Sequence, residues 1–320
     1  MQGREQRDKI KGMPGRQKLI DLVYKLMAAN LAEVRPEMAP GALCPLCMRP
    51  FELDPTSRLK PSAEHAIPSS LGGTLEYHPI LSWVGCNNED GHAIEGHLAR
   101  AMNAFDFLDG HGTVRAVIDN EIGHVAATLD SNPTGPLTIN VLGKNASNIA
   151  AVEGLPNLIC TTRKIDLTLR FNFIPEIYWR ALLRVAYLAV FSLSGYAYAF
   201  SHGGGQVRVV LNGGVVPMGL IVEAHFSEEP AVPFFVLPIG TEAVLVFFKL
   251  QSLKTRWIAA MLPGPDGCSW TELASAFAEP NHLRMVIAFG QTQAIAARFA
   301  HEPFERLRNA KITNVAQHMA

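Results

Sequence analysis

The sequence predicts an α+β chain: a small metal-knuckle module near the N-terminus, then a larger mixed α+β domain around one apolar helix. Three observations lead there. Residues 44–97 concentrate Cys, His, Glu and Asn at a spacing that nothing else in the chain approaches. From residue 113 onward the texture changes to short strand-like runs separated by turn signals. Tyr178–Phe200 is one long apolar stretch of helical character.

The first segment, residues 1–40, opens with Arg4, Arg7, Lys9, Lys11, Arg16 and Lys18 against Glu5 and Asp8. These charges suit phosphate contacts or a solvated arm. Leu19, Leu22, Val23, Leu26 and Met27 recur at helical spacing, which predicts a helix from 16 to 33, ended by Pro36 and Pro40. Residues 41–112 hold the cluster, and 113–320 form the accessory domain. There, Val114–Ile118 and His124–Leu129 read as strands joined by a turn, followed by Leu137–Leu142 and the alternating run Lys164–Phe171. A helix over 175–200 is expected to stop at His202-Gly-Gly-Gly205. Five further strands are expected at Val207–Leu211, Met218–Phe226, Phe234–Leu237, Ala243–Phe248 and Trp257–Leu262. Ser269 and Glu272 stand at capping-box spacing ahead of a short helix over 269–278, and 291–310 reads as helical.

The 320 residues are enough for a sizeable core, and the length predicts two. A net charge of −1 gives no whole-chain attraction for nucleic acid, so any such surface must be a local patch. Five Cys, three of them in the cluster, fit metal ligation in a reducing interior better than a disulfide framework. Cys160 and Cys268 stand alone and are expected to be buried. Arg180 and Arg184 share a face inside the apolar stretch, so it reads as a helix buried in a soluble, cytoplasmic protein rather than a membrane span. With Tyr187 nearby those two arginines could bind phosphate, but surface or inter-element pairing with acids such as Glu176 is the more ordinary expectation.

Within the cluster, Cys44-Pro-Leu-Cys47 puts two thiolates on one knuckle, half of a tetrahedral Zn²⁺ site, and Cys86 offers a third. A second Cys-x-x-Cys would place the fourth at position 83, which is Trp83. Either His78 or His92 supplies the ligand, or packing around Trp83 replaces the zinc. Glu64 and His65 are adjacent, and on a strand they point to opposite faces, which suits one to metal and the other to water. Pro68 and Gly72-Gly73 turn the chain back, and a helix starting near Asn87 would bring that amide beside Glu64. A carboxylate and an amide oxygen suit Mg²⁺ or Mn²⁺, and a neutral His65 suits general-base work. Asn88 and His92 share a helical face, while His97 reads as an exposed or capping residue and Glu95 as a supporting one. The nearest basic residues, Arg58, Lys60 and Arg100, are candidate phosphate contacts.

Taken together, Cys44-x-x-Cys47, Glu64-His65-Ala66-Ile67-Pro68, Gly72-Gly73, Cys86-Asn87, Gly91 and Glu95 resemble the HNH endonucleases of the ββα-metal fold. The resemblance covers about 60 residues of the chain, and it departs from the family pattern at Trp83 and His78. It implies an N-terminal HNH module that hydrolyses DNA, with His65 as general base and with Glu64 and Asn87 holding the catalytic metal. It puts His78 in a base-orienting place or among the zinc ligands. By analogy with free-standing members it also implies a role in restriction or phage defence. Residues 113–320 would serve target recognition, a partner, a second copy or signal sensing. The rival reading is a degenerate HNH core that binds nucleic acid or acts as a scaffold without cutting.

Overall fold

A computed structural model describes residues 15–312, apart from 55, 58, 76–78, 121–122, 142–148, 150–151, 155, 158–159, 161–165, 218, 268, 277–283, 290–292 and 301–310. It is a mixed α+β structure. Helix α1 (Arg16–Val34) buries Val23, Met27 and Leu31, the i, i+4, i+8 stripe of its sequence. A 3₁₀ turn at Pro36–Met38 ends it. Next comes an antiparallel hairpin of β1 (Pro61–Glu64) and β2 (Ile80–Trp83), with Ser62 opposite Ser82 and Glu64 opposite Ile80. A π-turn at Gly85–Glu89 leads into α2 (Asp90–Leu108).

Strands β3 (Gly112–Asn120), β4 (Gly123–Ser131), β5 (Thr138–Val141) and β6 (Asp166–Arg170) follow. With β13 (Lys311–Ile312) they make an antiparallel sheet of order β13-β6-β3-β4-β5. It has its own small core of Phe107, Ile118, Val125 and Leu129.

Helix α3 (Pro175–Ala199) is the centre of the molecule. It is the one helix among the described residues long and apolar enough to cross a membrane, and most of it is buried inside the fold. Beyond it lie α4 (His202–Leu211), β7 (Ile221–Phe226), β8 (Phe234–Ile239), β9 (Ala243–Gln251), β10 (Thr255–Pro263), α5 (Trp270–Ala276), β11 (Arg284–Phe289) and β12 (Gln293–Ala300). These strands form a six-stranded antiparallel sheet, β11-β12-β7-β10-β9-β8.

Period-two alternation sorts β9 between two cores. Val244, Val246, Phe248 and Leu250 face the cluster built around α3, and Ala243, Leu245 and Phe247 face a second cluster with Trp257 and Leu273. The α3 cluster also includes Val23 and Leu31 from α1, Cys44 and Leu46 from the knuckle, and Leu98 and Met102 from α2. One apolar core therefore unites the N-terminal helix, the cysteine region and the face of the large sheet.

Three elements differ from the sequence expectation. Val207–Leu211 is helical rather than a strand, and the glycine run at 203–205 starts that helix instead of only stopping α3. Ser201 caps it, its Oγ accepting from the Gly204 N–H at 3.1 Å. The glycines serve close packing: a Cβ on Gly203 would stand 2.1 Å from the Gly264 carbonyl, and one on Gly204 2.0 Å from that of Tyr198. Helix α3 is instead kinked at Gly195, where φ is +57° and ψ −142°. Asn30 Oδ1 accepts the Tyr196 N–H at that kink, at 2.8 Å.

The third difference is β12 at Gln293–Ala300, inside the stretch read as helical. Pairing on both sides, with β11 and β7, overrides the helix propensity of its alanines. The Ser269–Glu272 capping box is present as expected, with Glu272 Oε2 accepting the Ser269 N–H at 2.6 Å. Cys160 is exposed, not buried, and Cys268 lies outside the described residues.

Candidate functional site

The cysteine knuckle is a closed turn. Cys44 N–H donates to the Arg49 carbonyl at 2.9 Å and Met48 N–H to the Cys44 carbonyl at 2.8 Å, with Met48 at φ +59°. Helix α3 clamps it from behind. Tyr187 Oη donates to the Pro45 carbonyl at 2.7 Å, and Tyr196 Oη accepts the Leu43 N–H at 2.6 Å. Both phenols are buried, so each hydroxyl needs such a partner.

The π-turn delivers Cys86 to the same point, and the sulfurs of Cys44, Cys47 and Cys86 all lie within 4.8 Å of one another. Zn–S bonds of about 2.3 Å in a tetrahedron require sulfurs roughly 3.8 Å apart, so the group could hold such an ion. Hydrogen bonding from Cys44, then from Cys86, draws Cys47 down to about 3. Burial pushes Cys44 up to about 11, and hydrogen bonding with Cys44 and Cys47 raises Cys86. A divalent cation held there would take all three sulfurs as thiolates.

Trp83 fills the position of a fourth cysteine. Its N–H donates to Cys44 Sγ at 3.3 Å and its ring lies under the Arg49 guanidinium, 5.1 Å from the centroid. His78 lies outside the described residues, as does the His92 side chain.

The hairpin and the following helix start bring the acid–histidine pair and the amide together. Asn87 Nδ2 donates to Ser62 Oγ at 3.1 Å and to the Ala63 carbonyl at 3.3 Å. Ser62 and Glu64 share a face of β1. The amide therefore docks on the strand that carries Glu64, and Oδ1 is its remaining acceptor. The turn expected at Gly72-Gly73 is present: Gly72 has φ +91°, and a Cβ on Gly73 would overlap the Ile67 carbonyl.

Glu64 is only 2% exposed, and its Oε1 pairs with Arg184 of α3. The same guanidinium donates to the Cys86 carbonyl at 2.9 Å, which ties α3 to both the strand and the helix start. Glu64 Oε2 is buried and makes no hydrogen bond. An orphaned anionic oxygen at this place is what a cation would satisfy.

The expected opposition of Glu64 and His65 does not hold, because pairing ends at Glu64 and His65 lies past the strand. Both border one cavity of about 10 Å³ with Glu95 and Arg184, near the size of a single water. Burial lowers the pKa of His65, Glu64 opposes that, and the charge of Arg16 adds to it. Both burial and Arg16 thus favour the neutral imidazole.

Among the other candidates, His97 acts as a cap, its Nδ1 accepting the Ile174 N–H at 2.8 Å at the start of α3. Lys60 borders a cleft beside β1, Arg100 is an exposed residue of α2, and Arg58 lies outside the described residues.

Sequence reasoning expected an acid on another element or at the surface for Arg184, and the structure supplies one, Glu64 of β1. The signal was present, since an arginine amid apolar residues must find a buried anion, though the acid is Glu64 rather than Glu176. It missed Ser62 and the two tyrosines, which carry no motif of their own. Comparison with protein-family models, with curated proteins and with solved structures finds no match to this chain.

Proposed function

We propose that the chain is a metal-dependent endonuclease of the HNH type that cuts DNA, with a structural zinc at Cys44, Cys47 and Cys86. The observation that carries this reading is the local geometry: a hairpin whose first strand ends in Glu64-His65, and a helix start whose Asn87 folds back onto that strand. Glu64 Oε2 and Asn87 Oδ1 would hold Mg²⁺ or Mn²⁺, while Arg184 retains Oε1. When bound, such an ion stabilises charge on the scissile phosphate and the leaving oxygen.

The chain's own residues do the rest. Neutral His65, which borders one cavity with Glu64, would take a proton from the water that attacks phosphorus as the P–O3′ bond breaks, and the leaving oxygen takes a proton from solvent. Arg184 fixes the carboxylate, and Ser62 with the Ala63 carbonyl fixes the amide.

One observation favours the rival, non-cutting reading: Glu64 is buried and already neutralised by Arg184. Plasmid cleavage with Mg²⁺ or Mn²⁺ separates the two. The nuclease reading expects cutting that EDTA abolishes and that His65→Ala lowers at least about 100-fold with the fold intact. Absence of cutting by the wild-type chain with either metal would replace it with the scaffold reading.

A further inference from the structure

A second feature adjoins the same hairpin. Between α1 and the outer side of β1 runs an open cleft of about 930 Å³. Its walls carry Arg16 and Lys25 from α1 and Lys60 from the segment entering β1, against one carboxylate, Asp21. Asp21 Oδ1 already accepts from Gln17 Nε2 at 2.8 Å. The lining of this channel thus holds three cations and one acid, with Asp54 near enough to Lys60 for their charges to interact. Tyr24 adds a half-buried aromatic side chain to the wall.

The cleft also leads somewhere. Ser62 lines it, and the Oγ of Ser62 accepts from Asn87.

We propose that this cleft is the track for a DNA strand, gripped through its phosphodiester backbone by Arg16, Lys25 and Lys60 and delivered along β1 to the Glu64–His65 site. The inference rests on the nuclease reading for the fate of the strand, but the binding it describes does not require cleavage. Cations on a helix and at the entry to the strand facing it match the repeating negative charge of a phosphate chain, and a tyrosine offers a stacking face.

The test is fluorescence anisotropy of the full chain carrying His65→Ala, without added Mg²⁺ or Mn²⁺ and without chelator, with labelled duplex DNA, single-stranded DNA and RNA of one sequence, across a salt series. Each phosphate contact contributes roughly 0.9 to the slope of log K against log salt on duplex and about 0.7 on single strands. The triple variant Arg16→Gln/Lys25→Gln/Lys60→Gln should lower the duplex slope by roughly 2.7, which at 0.1 M salt is a loss of about 500-fold. Arg16→Gln and Lys25→Gln, both at exposed positions of α1, should each lower the slope by roughly 0.9 and so serve if the triple variant fails to fold. Lys249→Gln, at the Glu229 ion pair on β9, should leave it unchanged. Which arm binds tightest identifies the strand taken.

A wild-type slope retained by the cleft variants would overturn the proposal, and so would absence of binding in every arm. Binding lost in the cleft variants, with no plasmid cleavage by the wild-type chain in Mg²⁺ or Mn²⁺, would uphold the cleft and remove the nuclease reading instead.

Discussion

Arg184→Met is the sharpest test of how the apolar helix serves the site. The guanidinium and the Glu64 carboxylate are 7% and 2% exposed, so neither can turn to water without opening the core. Removing one partner of such a pair costs about 3–5 kcal/mol, because the remaining charge stays buried without compensation. The Cys86 carbonyl loses its donor at the same time, which adds about 1 kcal/mol. Methionine fills much of the vacated volume, so cavity terms stay small. The expected loss is about 4–6 kcal/mol, comparable to the whole stability of many domains.

Urea denaturation followed by circular dichroism measures it, and a double-mutant cycle with Glu64→Gln isolates the pair. The double variant buries no unpaired charge and should recover at least about 2 kcal/mol relative to the sum of the singles. A cost below about 1 kcal/mol for Arg184→Met, or a coupling near zero, would mean that the pair does not hold the hairpin to α3.

Two further outcomes follow from the same geometry. Cys44→Ser removes the fully buried sulfur of the three, so metal analysis of purified protein should fall from one zinc per chain to well below one. The unfolding midpoint should fall with it, since structural zinc sites bind with roughly 10–16 kcal/mol; full zinc retention would argue against the three-thiolate site. Glu223 on β7 has its pKa raised by burial, with His225 and Arg256 pulling the other way. Its ionised form is therefore the disfavoured one in the fold, and stability is lost as pH rises through the raised value. Glu223→Gln should melt higher than wild type at pH 8, with the advantage vanishing as pH falls towards 4; an equal advantage at both pH values would contradict the assignment.

Some of this was legible in the residues. The stripe of α1, the hairpin of β3 and β4, the capping box at Ser269 and the buried character of α3 all follow from local periodicity and turn chemistry, which short windows record. The gathering of Cys44, Cys47 and Cys86 was legible too, because the ligand types and their spacing leave few other uses for them. Propensity misled where tertiary pairing outweighed it, as in β12, and where glycines served close approach rather than helix termination, as in α4.

The sequence by itself determined which residue types could hold a metal and, where local periodicity and caps are strong, as in α1 and at Ser269, where an element starts. Only the tertiary structure decided that Arg184, 120 residues beyond Glu64, neutralises it. The same holds for the two tyrosines of α3 on the knuckle, and for the gathering of Arg16, Lys25 and Lys60 along one cleft. The physical reason is common to all three. Partners of buried charges and hydroxyls are set by which surfaces the hydrophobic core brings together, and that choice is made by the whole chain rather than by any window of it.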